Sequence, residues 1–307
     1  MPAPLNILFW HVHGSWATSF VQGAHSYVVP LLPDRGPFGR GRAQTFPWPD
    51  SVREVPWDRL RHERFDVVVY QRMEELDLAR EWLGTVPPGI YVEHNTPKGD
   101  VPETRHPLAG QSAVPIVHVT HFNALFWDNG QAPVRIIEHG VVDPGHLYTG
   151  VLDRAGVVVN EPVRRLRVAG TDLLPHFRVP LDLFGMKAGG LPYPAYDLSQ
   201  REMHAALAER RAYLHPYRWT SLGLALIEAM MIGLPVVALA ATEAVEAVPP
   251  EAGVISTKLP VLVSALSEFV GDPALAREYG EAARRAALAR YGIERFQADW
   301  DALLGGA

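Results

Sequence analysis

The chain has 307 residues, 48% apolar and 20% charged, with a net charge of −6 and no cysteine. That length carries one or two domains with sizeable cores, and the composition is that of a globular protein. Disulfides and cysteine chemistry are excluded, and an acidic balance without a long basic run argues against a nucleic-acid partner.

In chain order, residues 5–10 form an apolar run that predicts a first buried strand, ending in His11-Val12-His13-Gly14. A strand running into a glycine turn opens a doubly wound sheet, and ligands gather at the carboxyl ends of such strands. No full G-x-G-x-x-G follows, so the dinucleotide signal is weak. His11 and His13 at H-x-H spacing would share one face of a strand. With His94, His118, His121 and His139 at or near the ends of later apolar runs, a metal-dependent hydrolase is a rival reading. The start has neither the charged lead nor the cleavage site of a signal peptide, so a cytoplasmic location is expected, with peripheral association to the inner membrane surface left open.

Further strands are predicted over 26–30, 65–70, 89–92, 116–120 and 134–137, with a helix over 74–83 and a Pro-, Gly- and Arg-rich loop over 33–57. Strands alternating with helices imply a parallel sheet. Residues 144–150 read as a short interdomain linker. The second half opens with a strand over 156–160. Arg164, Arg165 and Arg167 follow, three guanidinium groups within four residues, which suits a phosphate clamp. A strand over 180–184 and a helix over 198–210 lead to a short strand at 212–214.

The stretch 212–240 reads AYLHPYRWTSLGLALIEAMMIGLPVVALA. Thr220 or Ser221 can cap a helix over 222–232. Gly233 fits just past its end, and Pro235 opens a buried strand. Residues 222–241 are twenty in number with one charge, but Glu228, Gly233 and Pro235 interrupt any membrane span. Leu222, Gly223 and Leu224 lie where free amides and the helix dipole favour a phosphate. Glu228, in the second turn, can accept bonds from ribose hydroxyls. A short helix at 242–246, a strand at 254–256 and helices over 261–270, 274–291 and 293–304 complete the chain, the last with Phe296, Trp300 and Leu303 on one stripe.

This stretch resembles the signature of the GT-B glycosyltransferases of family 4, the glycosyl transferases group 1 type, whose pattern is E-G-F-G-L-x-x-x-E-A-M-x-x-G-x-P-V-V-A. Gly223, Leu224, Glu228, Ala229, Met230, Gly233, Pro235, Val236, Val237 and Ala238 match in register. Upstream, Gly170, Asp172, Leu173 and Leu174 match the family's G-R-x-x-x-x-K-G-x-D-L-L, with Arg164 at its Arg and Ala169 at its Lys. Glu138 to Asp143 resembles its I-P-N-G-V-D turn. The first Glu of the signature, which usually helps hold the donor sugar, is Thr220 here.

The resemblance is strong over about 150–300 and weak over 1–140. It implies an α/β protein with a GT-B fold: two facing Rossmann-like domains with parallel sheets. Residues 1–145 would form the acceptor domain and 146–290 the nucleotide-sugar donor domain, with 291–307 a helix that returns to the first. It implies a retaining hexosyltransferase that needs no metal or cofactor, the nucleotide sugar (UDP- or GDP-linked among the candidates) being a substrate. The acceptor would be a glycan, a lipid or a small molecule. Glu228 would bind ribose, and Ser221, Leu222, Gly223 and Leu224 would flank the diphosphate that Arg164, with Arg165 and Arg167, would grip. Thr220 would stand at the donor sugar. Gly14 and His13 would line the site from the first domain, and His94 would contact acceptor or donor. Glu228, Arg164 and His94 are thus the expected catalytic set. A GT-B-shaped protein that binds nucleotide or glycan without turnover is the second rival.

Overall fold

The computed structural model describes residues 3–46 and 48–306. It divides into two compact units: residues up to Val142 together with those from Ile293 on, and Asp143–Gly292.

The first unit contains β1 (Asn6–Phe9), α1 (Gly14–Phe20), β2 (Ser26–Leu31), β3 (Val52–Pro56), β4 (Val67–Tyr70), α2 (Glu74–Trp82), β5 (Gly89–Glu93), β6 (Ile116–His118), α3 (His121–Phe126) and β7 (Val134–Ile136). Among the described residues its sheet has the order β3-β2-β1-β4-β5-β6-β7, every pairing parallel. The chain winds outward from β1 to β3 and then returns to β4 on the other side. The reversal leaves a crevice at the carboxyl ends of β1 and β4, where open α/β sheets place ligands. β4 is buried at all four residues, VVVY, as expected of a central parallel strand covered on both faces.

β3 lies inside the stretch expected to be loop. It buries only Val52 and Val55, and it pairs with β2 at the sheet edge, where a half-polar strand ending in Pro is tolerated. Pro47, in the same stretch, lies outside the described residues.

The helix Ile293–Leu304 packs on this unit. Gln297 Nε2 donates to the Ser19 carbonyl, and both Nη atoms of Arg295 donate to the Glu138 carbonyl at 3.1 Å. The buried stripe is Phe296, Trp300 and Leu304 rather than Leu303, which stays partly exposed.

The second unit contains β8 (Leu152–Val158), α4 (Leu166–Ala169), β9 (Leu181–Phe184), β10 (Ala195–Tyr196), α5 (Gln200–Ala208), β11 (Arg210–His215), α6 (Leu224–Ile232), β12 (Val236–Leu239), α7 (Ala244–Ala247), β13 (Gly253–Ser256), α8 (Leu259–Gly271) and α9 (Pro273–Tyr291). Its sheet repeats the same winding, β10-β9-β8-β11-β12-β13, again all parallel, with the reversal between β8 and β11. α6 buries every residue from Leu226 to Ile232, including Glu228, and is apolar all round because helices and sheet cover it. Gly233 ends it at φ 105°, the left-handed cap expected of it.

Residues 143–150 are fastened to this unit instead of hanging free. Asp143 accepts 2.8 and 2.7 Å bonds from Arg284, and the amides of Leu147 and Tyr148 bond the Ile232 carbonyl. The amides of Thr149 and Gly150 reach the Ala208 carbonyl. The division therefore falls at Val142, just before the expected boundary.

No single described helix is long and apolar enough to cross a membrane.

Candidate active site

In the second unit the crevice at the sheet reversal is bounded by the loop after β8 and the loop after β11. The two loops are tied together. Tyr217 Oη donates to the Val158 carbonyl at 3.3 Å, and the Arg218 amide donates to the Val168 carbonyl at 3.0 Å. Gly170, at φ 70°, brings the turn after α4 so close that a Cβ there would stand 1.8 Å from the Pro216 carbonyl oxygen. Only glycine serves both the left-handed backbone and that approach. Gly170→Ala is expected to cost about 2–5 kcal/mol, combining the left-handed penalty with an overpacking clash. Urea unfolding of the second unit measures it.

α6 begins later than expected. Its N-cap is Gly223, with no side-chain cap, so neither Thr220 nor Ser221 caps the helix. Gly223 stands over His215, the last residue of β11, where a Cβ would meet the imidazole Cε1 at 2.8 Å. His215 is buried and pushed down to about 3 by that burial, so it is a neutral wall under the helix start. Ser221 and Leu222 are buried beside it, and Thr220 is half-buried.

Glu228 sits one turn into α6 and is 3% exposed. Its Oε1 accepts from Gln200 Nε2 at 3.0 Å, and its Oε2 lies 3.0 Å from His204 Nε2. A carboxylate removed from water needs such donors to remain in place.

The three arginines do not converge. Arg164 lies exposed beyond the end of β8 and bonds Glu161 at 2.5 Å, which holds that carboxyl below its usual range. Arg167 bonds Asp172 at 2.9 Å. Asp172 also accepts 2.5 and 3.0 Å bonds from Arg218, the chief reason that its carboxyl is held low. Arg165 lies 5.4 Å over the Tyr217 ring, on the loop that follows β11. Arg218, three residues past the end of β11, belongs to no motif in the sequence.

In the first unit the H-x-H pair is split. β1 stops at Phe9, so strand alternation no longer sets His11 and His13 on one face. His11 Nδ1 reaches the Gly41 carbonyl at 3.1 Å and its ring packs 4.8 Å from Trp48. His13 precedes α1, and its ring lies 4.2 Å from that of His94. Among the described residues no group of three or more His, Asp or Glu is placed to hold a metal, so the His11/His13 reading loses its geometry. Gly14 opens α1, and a Cβ there would meet the Phe46 ring at 2.7 Å.

His94 follows β5 and stacks 6.5 Å from His139, which follows β7. Burial is the first cause that keeps these imidazoles neutral: His13 is lowered to about 4, His139 to about 3, and His94 well below its usual value. Gln71, just past β4, donates through Nε2 to the Trp10 carbonyl at 2.6 Å and turns its Oε1 to His94 Nε2 at 3.0 Å. That orientation assigns the His94 proton to Nε2 and leaves Nδ1 as an acceptor. Gln71 is held in turn by Glu75, whose Oε2 accepts the Gln71 amide at 2.7 Å. Gln71 and Glu75 went unnoticed in the sequence, where the one cue was a polar residue directly after VVVY.

Histidines with depressed folded values contribute stability that is present above about 6.5 and lost as the pH falls toward those values. Glu75, raised to about 7 by burial, acts in the opposite sense between about 4.5 and 7. Acid melting of the first unit should therefore steepen below pH 6. His139→Gln should flatten the slope by up to ~1.4 kcal/mol per pH unit between pH 6 and 4, read as melting temperature against pH. An unchanged slope would remove His139 from the cause.

Residues 186–272 match the family model described as Glycosyl transferases group 1. No curated protein matches the sequence. Among solved structures, sucrose-phosphate synthase from Thermosynechococcus elongatus superposes with a TM-score of 0.72 at 14% identity, covering 98% of each chain. HepE of Anabaena, in complex with UDP and glucose, superposes at 0.69 and 15% identity, covering 99% of this chain and 100% of that one. AviGT4, a glycosyltransferase involved in Avilamycin A biosynthesis, gives 0.60 and 16%, covering 99% of each. The two parallel sheets and these likenesses define the class: a protein of GT-B fold. Within that class, the likeness to the glycosyl transferases group 1 model is carried by the segment from the loop after β9 to the end of α8.

Proposed function

We propose that this chain is a glycosyltransferase that moves a sugar from a nucleoside-diphosphate donor, held by the second unit, to a hydroxyl acceptor held mainly by the first. The observation that carries the reading is Glu228, a buried carboxylate on the helix that starts beside the sheet reversal, inside the segment that matches the family model. Support for a UDP-linked donor comes from HepE, which was solved with UDP-glucose; a GDP-linked donor is the alternative within the same reading.

The departing diphosphate develops negative charge and needs fixed amides and positive groups where that charge appears. The first-turn amides of α6 and the guanidinium of Arg165 are assigned to it. Arg164 and Arg167 would join by exchanging Glu161 and Asp172 for phosphate oxygens. This chain's own charges then suffice, and reaction without a metal, with retention at the sugar carbon, is part of the proposal. His94 offers Nδ1 to a sugar hydroxyl of donor or acceptor, while its Nε2–H donates to Gln71 Oε1.

Thr220 and Ala169, at positions of the family's Glu and Lys, favour one second reading, binding without turnover. Incubation with UDP-glucose, GDP-mannose and ADP-glucose labelled in the sugar, with chelator present and with and without a glycan or lipid acceptor pool, separates them. Label appearing in an acceptor, with release of the matching diphosphate, is expected. Diphosphate binding without any label transfer would establish the second reading.

A further inference from the structure

We infer that His204 on α5, with Gln200, is a positioning residue that fixes the Glu228 carboxylate for the ribose of the bound nucleotide. This rests on the reading of Glu228 as the ribose ligand and adds residues that the family signature does not contain.

α5 and α6 both start after strands of the second sheet, β10 and β11, so their first turns lie along its carboxyl edge. Gln200 and His204 are four apart on α5 and therefore share a face. They reach different oxygens of Glu228, each at 3.0 Å. The His204 and Glu228 side chains are 9% and 4% exposed. α5 is itself set by a capping box between Ser199 and Glu202, so the two donors are held by a fixed helix start.

A carboxylate has about four lone-pair directions, and two donors on separate oxygens leave the others available. They also stop rotation of the group, so the remaining lone pairs point in one direction before ligand arrives. Preorganisation by such supporting bonds raises affinity without any contact to the ligand. The neutral side chain of Gln200 alone would leave Oε2 unsupported and the carboxylate free to turn.

The test is isothermal titration of UDP, GDP and ADP, each beside its 2′,3′-dideoxy analogue, into wild type, His204→Ala and His204→Gln. Wild type is expected to prefer the ribo form of its nucleotide by about tenfold or more. His204→Ala should reduce that preference to under about threefold while leaving the dideoxy affinity unchanged, and His204→Gln, which restores a donor, should recover most of it. Equal weakening of ribo and dideoxy forms by His204→Ala would mean a merely structural role and would overturn the inference. A preference that survives His204→Ala in full would overturn it too. Wild type that binds both forms alike, or binds none of the three diphosphates, would instead overturn the ribose reading of Glu228, and this inference with it.

Discussion

Glu228→Gln is expected to weaken nucleoside-diphosphate binding by about 1.5–3 kcal/mol, the worth of a charge-assisted hydrogen bond. The surroundings of the residue explain why the change should reach binding before it reaches folding. A glutamine at this position keeps one acceptor oxygen for Gln200 and presents an amide N–H toward His204. A neutral imidazole can carry its proton on Nδ1 and accept that N–H through Nε2, so both buried contacts survive, the one to His204 with donor and acceptor exchanged. The negative charge available to ribose hydroxyls is what disappears. Titration of the diphosphate into wild type and mutant, with thermal melts as the control, reads the two effects apart. Unchanged affinity in a folded mutant would remove Glu228 from the site.

Trp300→Ala is expected to destabilise the first unit by about 3–5 kcal/mol, the cost of truncating a large buried aromatic. Trp300 is 1% exposed, and its ring lies 4.9 Å from Phe20, 5.9 Å from Trp16 and 6.3 Å from Phe296. These rings meet edge to face, an arrangement worth more than area alone. The last helix is joined to the rest of its unit through this cluster, the Arg295 and Gln297 bonds to backbone carbonyls, and a 3.2 Å contact between His25 and Asp301. Leu303→Ala, one turn away and partly exposed, should cost under about 1.5 kcal/mol and serves as the comparison. Chemical denaturation followed by tryptophan fluorescence reports both. Equal costs for the two would mean that the helix does not use the Trp300 stripe as its anchor.

Several features were legible in the sequence because local chemistry dictates them. Apolar runs such as VVVY and VVAL become central parallel strands, since only residues covered on both faces can afford no polar alternation. Gly233 and Pro235 mark the end of α6 as written. What escaped notice depends on tertiary partners. β3 has a half-polar pattern that pairing at a sheet edge turns into a strand. After Phe296 and Trp300, Leu304 and not Leu303 completes the last stripe, because the burying surface selects between two positions that helical spacing allows. The cap of α6 moved from a hydroxyl residue to Gly223 because the loop packs on His215 and leaves no room for a Cβ.

The site divides in the same way. The Glu228 segment was readable as a motif, and the structure sets the residue on a buried helix at the carboxyl edge of the sheet. The partners of Glu228 could not be read, because Gln200 and His204 look like ordinary helix residues until α5 is laid against α6. The arginine cluster was readable only as charge. Its members turn to Glu161, Tyr217 and Asp172, carboxylates and a ring whose positions follow from the loop fold and not from spacing.

The most direct measurement is calorimetric titration of UDP, GDP, ADP and TDP into the wild-type chain with a chelator present. One of the four is expected to bind without added metal, one site per chain, and its sugar derivatives to compete for that site. Failure of all four to bind, in a chain shown by its melting curve to be folded, would contradict the proposed donor site.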